Sequence, residues 1–332
     1  MPERNADLVL EGGGVKGIAL AGAYSVIEEQ GYTLKRIAGT SAGSIVGALL
    51  AAGTTADELK ALMSDIRYDK FEDESLLGRL PLLGKPLSIA YRQGINKGQY
   101  AHDWIRDQLA AHGVKTFADL RYNDPKFVLP EAKRYKLVVM VSDISRGQLL
   151  SLPWGYPDYG QKADEQQVAD AVRASMSIPF FFEPVRLKNL GNGQDSVLVD
   201  GGMLSNFPVG VFDATQGDRR WPTFGIKLSA KPGAAEKASP GVHGAISMTK
   251  AMIKTMTGFY DRMYVDRLDV QRRTIFVDTG SIPSTKFDLT PDDAKWLYES
   301  GRDAATRFFD GGDGQPKWDW EAYKADFPVG TT

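Results

Sequence analysis

From its first residues the chain alternates short apolar runs with stretches of helical spacing. Leu8-Val9-Leu10 breaks at once into Glu11-Gly12-Gly13-Gly14-Val15-Lys16-Gly17, which predicts a strand over 7–10 ending in a glycine loop. Apolar Ile18, Ala21, Ala23, Val26 and Ile27 then recur among small residues, which predicts a helix over 18–29 that Gly31 ends. A second short strand, 34–38, runs into Gly39-Thr40-Ser41-Ala42-Gly43, and a helix over 44–52 follows, stopped by Gly53. Strand, helix, strand, helix implies a parallel sheet covered by helices. Further helices are expected over 56–66, 100–111, 167–176 and 291–309, the last opening on Pro291 at a permitted position. Further strands are expected over 136–143, 196–199, 223–228 and 273–277. Residues 231–244, rich in Gly, Ala, Pro and Ser, read as a mobile surface loop. No repeat or domain boundary interrupts the pattern, so one domain over 5–310 is expected, followed by a C-terminal tail over 311–332.

Composition narrows the class. The chain has 332 residues, 42% hydrophobic and 25% charged, enough to bury a core without covalent staples. A net charge of −2 gives no global attraction to nucleic acid. The basic clusters Lys133-Arg134-Lys136 and Arg272-Arg273 read as solvated faces. Cysteine is absent, which removes disulfides, thiolate nucleophiles and Cys-based zinc sites. With no signal-like N-terminus and no long uncharged apolar run, a soluble, cytoplasmic protein is expected. Nothing in the sequence fixes an oligomeric state.

Chemistry concentrates in three places. Gly39-Thr40-Ser41-Ala42-Gly43 is G-x-S-x-G between a strand and a helix, the context in which a sharp turn pushes a nucleophilic serine out of the sheet. Gly12, Gly14 and Gly17 also fit G-x-G-x-x-G, the opening of a dinucleotide-binding fold, but the second strand lacks the acidic residue that would hold a ribose. The same glycine amides can instead converge on one oxygen as an oxyanion hole, with Lys16 adding positive charge. A serine nucleophile needs a base. Of three histidines, His102 and His112 lie on or just after a helix and His243 in the 231–244 loop, and none follows a strand end. His102 and Asp107 also fit H-x-x-x-x-D, a pattern of certain acyltransferases, inside a charged helical stretch. Asp200 ends the apolar strand Ser196-Val197-Leu198-Val199 and precedes Gly201-Gly202, so it is the best placed carboxylate. Burial would raise its pKa towards a useful range.

Together the glycine loop, the Ser41 turn and Asp200-Gly201-Gly202 resemble the patatin-like phospholipases, in the Asp-Gly-Gly form of bacterial members. Ala174-Ser175-Met176-Ser177-Ile178-Pro179 and Asn206-Phe207-Pro208 are similar to the family as well. The resemblance runs over about 7–212 and continues weakly through 274–308. It implies a three-layer α/β/α fold with a mostly parallel central sheet. It also implies a lipid acyl hydrolase, of phospholipase A, lysophospholipase or carboxylesterase type, that works by a Ser-Asp dyad without cofactor or metal. Ser41 would attack the ester carbonyl and form an acyl-enzyme, with Asp200 taking the proton. Amides of the loop Gly12, Gly13, Gly14, Val15, Lys16 and Gly17 would bind the oxyanion, with Gly13, Gly14 and Val15 foremost. Gly39 and Gly43 would shape the nucleophile turn, and Gly201 and Gly202 the turn after the base.

A lipid or ester substrate is then the expected partner, with peripheral membrane contact. Leucine-rich 75–91, broken by Pro81 and Pro86, is a candidate lid or membrane-touching segment. Ile178-Pro179-Phe180-Phe181-Phe182 is a candidate wall of an acyl pocket. The competing readings are a dinucleotide-binding protein, a non-catalytic regulatory protein on the same fold, and acyl transfer to an acceptor other than water.

Overall fold

The computed structural model describes residues 4–73, 93–122, 129–191, 193–213, 219–229, 265–312 and 316–329. The lid candidate 75–91, the loop 231–244 and His243 lie outside the described residues. The glycine loop joins strand β1 (Arg4–Leu10) to helix α1 (Gly17–Glu29), and the serine turn joins β2 (Tyr32–Thr40) to α2 (Ala42–Ala51). Helix α3 (Ala56–Asp65) follows, opened by a capping box between Thr55 and Glu58. Then come β3 (Gly94–Asn96), α4 (Gln99–Ala111), β4 (Leu137–Asp143), β5 (Gln148–Leu152) and α5 (Val168–Ser175). Strands β6 (Phe180–Phe182), β7 (Val185–Lys188), β8 (Asp195–Asp200), β9 (Thr223–Lys227) and β10 (Thr274–Phe276) precede α6 (Pro291–Asp310) and α7 (Trp320–Asp326).

The main sheet runs β10-β9-β1-β2-β4-β8-β7, with β5 also on β4. β10, β9, β1, β2 and β4 are mutually parallel, whereas β5 and β8 pair antiparallel with β4, and β7 antiparallel with β8. Side chains of successive strand residues point to opposite faces, and both faces are buried. Leu8, Leu10, Ile37, Leu137, Val139 and Val141 enter the larger core with α1, α2 and α6. Their neighbours Val9, Ala38, Val138 and Met140 pack on the other face against Phe207, Val209, Phe212 and Val270. This is the expected three-layer α/β/α fold with a mostly parallel sheet.

Two expectations change. The stretch read as a tail carries α7 and packs: Tyr323 is buried, Trp318 stacks on Phe308, and the Trp318 indole N–H donates to the Tyr32 hydroxyl at 3.3 Å. Its aromatic side chains hold it there, since each buries a large apolar area. Nor is Arg272-Arg273 a solvated pair. Arg273 is 3% exposed and forks onto both Asp213 oxygens, at 2.5 and 2.6 Å.

Candidate active site

One edge of β4 brings Ser41 to Asp200. β2 runs parallel to β4, with 37–40 opposite 137–140, and β8 runs antiparallel, with 198–200 opposite 141–143. β5 occupies β4 over 139–143. A strand has two edges, so β2 and β8 must share the other one, end to end. Thr40 stands opposite Met140 and Asp200 opposite Val141, so the residues following these strand ends meet in one place.

Ser41 takes φ 51 and ψ −124, the angles of the first central residue of a type II′ turn, a place glycine normally fills. For an L-residue this conformation costs about 1–3 kcal/mol. The turn is held from several sides. A Cβ at Gly39 would overlap the Gly43 carbonyl, and one at Gly43 would overlap the Leu10 carbonyl, so both glycines let three backbone segments touch. The Ser41 N–H donates to the Ser175 hydroxyl at 2.9 Å, and that hydroxyl donates to the Met140 carbonyl at 2.7 Å.

Asp200 and Ser41 are each 7% exposed, and their side chains lie close enough for the Ser41 hydroxyl to favour the ionised carboxylate. The Gly202 N–H donates to Asp200 Oδ1 at 2.7 Å, while the Asp200 N–H donates to the Ser177 carbonyl at 2.9 Å. Burial pushes the Asp200 carboxyl up from 3.8 to about 6, against the opposing pull of the Ser41 and Gly202 hydrogen bonds. A carboxylate tuned in this way can take a proton from a hydroxyl it already touches.

The glycine loop lies against the same serine. A Cβ on Gly12 would stand 3.0 Å from Ser41 Cβ. Asn206 fastens the loop: its carbonyl accepts the Gly12 N–H at 3.2 Å and its Nδ2 donates to the Gly12 carbonyl at 2.9 Å. The remaining amides divide into two groups. The Val15 N–H donates to the Ser284 carbonyl at 3.1 Å, the Lys16 N–H to Gly13 at 3.2 Å, and the Gly17 N–H to Gly14. Among the described residues, no acceptor pairs with the Gly13 or Gly14 N–H. Lys16 Nζ is turned to the Thr279 hydroxyl, 2.9 Å away. Partial burial lowers its pKa, against the attraction of Glu11 and Asp278.

The histidines stand apart from this cluster. His102 Nε2 lies 2.7 Å from Asp170 Oδ1, and His112 Nε2 lies 3.4 Å from the Thr54 hydroxyl. Asp107 pairs with Arg106 at 2.9 Å, so the H-x-x-x-x-D residues do not meet. Sequence reasoning assigned no role to Ser175 or Asn206. Both lie in segments that resembled the family, but their partners are 134 and 194 residues away, and no local pattern reports such pairings.

The fold and this cluster define a class: a three-layer α/β/α protein with a serine on a strained strand-to-helix turn beside a buried carboxylate. Within that class the chain belongs to the patatin-like phospholipase family, whose pattern it matches over residues 8–213. It is 37% identical over 297 residues to the uncharacterized protein YqhO of Bacillus subtilis, covering 89% of this chain and 95% of that one. It is 30% identical over 203 residues to the lysophospholipase NTE1 of Saccharomyces cerevisiae, covering 61% of this chain but 10% of the yeast protein. The solved structure of VipD from Legionella pneumophila matches with a TM-score of 0.52 at 18% identity, over 92% of this chain and 67% of that one, which is a likeness of fold. Membership in this family supports lipid hydrolysis as the activity. Among the described residues, no helix is long and apolar enough to cross a membrane.

Proposed function

We propose that the protein hydrolyses fatty acyl esters through a Ser41–Asp200 dyad. The observation that carries this reading is the buried Ser41 hydroxyl beside a carboxyl that burial raises to about 6. Ser41 Oγ attacks the ester carbonyl carbon as its proton passes to Asp200. Negative charge develops on the carbonyl oxygen, and the Gly13 and Gly14 amides, which have no other acceptor among the described residues, are the donors assigned to it. Each such donor typically contributes about 3–4 kcal/mol of transition-state stabilisation. Collapse expels the alcohol, which takes the proton from Asp200 and leaves the acyl group on Ser41. Asp200 then accepts a proton from water as the water attacks the acyl-enzyme, and the fatty acid departs with Ser41 restored. No histidine has a place in this scheme, in keeping with the positions of His102 and His112.

Hydrolysis of p-nitrophenyl esters from short to long chain tests the proposal. Ser41→Ala and Asp200→Asn are each expected to lose about 10³-fold or more in kcat, on the scale of removing one member of a nucleophile–base pair. His102→Ala should remain within about twofold of wild type. Activity that survives Ser41→Ala would rule the dyad out.

A further inference from the structure

Two chain segments flank the cluster, and each carries a phenylalanine to the same point. The first begins at Ser177, whose carbonyl holds the Asp200 N–H, and runs through Ile178-Pro179 to Phe180, Phe181 and Phe182. The second begins at Ser284, whose carbonyl accepts the Val15 N–H and against which Gly14 is packed, and reaches Phe287 three residues later. Three residues span at most about 10 Å, so Phe287 stays close to the glycine loop. The rings of Phe181 and Phe287 stack at 4.8 Å between centroids and 7° between planes. One stack thus joins a segment bonded to the backbone of the base to a segment bonded to the glycine loop.

The neighbouring residues are arranged around that stack. Phe182 is buried, meets Phe181 edge-on at 4.8 Å and lies under the Arg173 guanidinium at 5.2 Å. Arg173 itself donates to the Ser177 hydroxyl at 2.6 Å and to the Lys97 and Glu183 carbonyls at 2.5 and 2.9 Å, which pins both ends of the turn. Phe180 holds φ 68 and is 40% exposed. A bulky residue at positive φ is a genuine outlier, and such strain persists chiefly at functional sites. Here the strained residue leaves a large aromatic side chain 40% exposed next in sequence to the Phe181–Phe287 stack. An apolar ligand passing beside it would cover that surface.

We infer that Phe181 and Phe287 form the acyl-chain gate of the site, with Phe180 as its outer rim, and that this aromatic surface selects medium and long chains over acetate-sized ones. The inference rests on the ester-hydrolase reading for its ligand. The alkyl chain lies along the ring faces as the carbonyl reaches Ser41, and each methylene held there contributes up to about fourfold in kcat/KM.

The test has two arms. In the first, kcat/KM is measured on p-nitrophenyl esters from acetate to dodecanoate, below their aggregation limits, for wild type, Phe287→Ala, Phe181→Leu and the double variant. The dodecanoate-to-acetate ratio should fall at least tenfold in Phe287→Ala and in the double variant, with acetate turnover within about threefold of wild type. In the second, binding of butanoate to hexadecanoate is measured calorimetrically to the Ser41→Ala protein with and without Phe287→Ala, so that no turnover is required. The affinity lost should grow with chain length. Equal losses on short and long ligands, or an unchanged ratio in folded Phe181→Leu and Phe287→Ala proteins, would overturn the gate. A wild type without esterase activity but with length-dependent fatty-acid binding that needs Phe287 would overturn the dyad and leave the gate standing.

Discussion

Replacing Asp200 by asparagine should make the folded protein more stable at neutral pH while abolishing its proposed activity. The magnitude follows from burial. The carboxyl titrates near 3.8 in an unfolded chain and at about 6 in the fold, with desolvation as the leading cause. At 1.36 kcal/mol per pKa unit, holding it ionised in the fold costs about 3 kcal/mol. The sign is set by linkage: the folded state binds the proton more tightly, so this stabilisation is full below pH 3.8 and is lost as pH rises through about 6. At pH 8 wild type therefore bears the whole cost, and the asparagine side chain of the variant, which has no charge to desolvate, escapes it. At pH 5 wild type has recovered about half of the difference by protonation. Urea unfolding of wild type and Asp200→Asn at pH 8 and pH 5 measures this directly. The variant should be more stable by about 3 kcal/mol at pH 8, with the gap roughly halved at pH 5. A variant less stable than wild type at pH 8, or a gap that does not change with pH, would refute the argument that Asp200 is ionised in a desolvated place.

Two further outcomes follow from the same geometry. Because a base works only when deprotonated, kcat/KM should rise with pH through a single limb near 6 and fall tenfold per unit below it; a profile still flat at pH 4.5 would exclude Asp200 as the titrating group. Ser175→Ala removes the hydroxyl that accepts the buried Ser41 N–H, so it should cost about 1–3 kcal/mol in denaturant unfolding and lower kcat more than it raises KM.

Much of this architecture is legible in the sequence because its signals are local. The two strand–loop–helix units at the start declare themselves through apolar runs cut by glycine; Ser41 stands where the second of these runs ends, and Asp200 where the separate run 196–199 ends. What stays hidden depends on partners distant in sequence. β7 alternates exposed and half-buried residues and lies at the end of the sheet, so its pattern is faint. β5 carries only two fully buried side chains, and three-residue β3 and β6 define each other solely by pairing. That Asp200 arrives on an antiparallel strand, head-on to β2, cannot be read from an apolar run, which carries no direction. In sequence Gly13, Gly14 and Val15 stand together as the foremost oxyanion donors, and only their acceptors separate Gly13 and Gly14 from Val15, whose N–H is spent on the Ser284 carbonyl. Trp318 and Tyr323 read as part of a tail until their aromatic neighbours are known.

The site concentrates two local costs on adjacent strand ends: backbone strain of about 1–3 kcal/mol at Ser41 and about 3 kcal/mol for ionising Asp200. Together they amount to a large fraction of the roughly 5–15 kcal/mol that keeps an ordinary domain folded. Neither can relax by a small shift. Straightening the Ser41 turn would drive Gly39 from Gly43 and break the Ser175 bridge to β4, and withdrawing Asp200 towards water would unpair β8 from the edge it shares with β2. The sheet, buried on both faces, therefore sets the position of both groups, and the substrate need not assemble them. Such preorganisation is what a weak base requires. Proton transfer from a serine hydroxyl to a carboxylate titrating near 6 is uphill, so the rate must come from geometry held in place before the ester arrives.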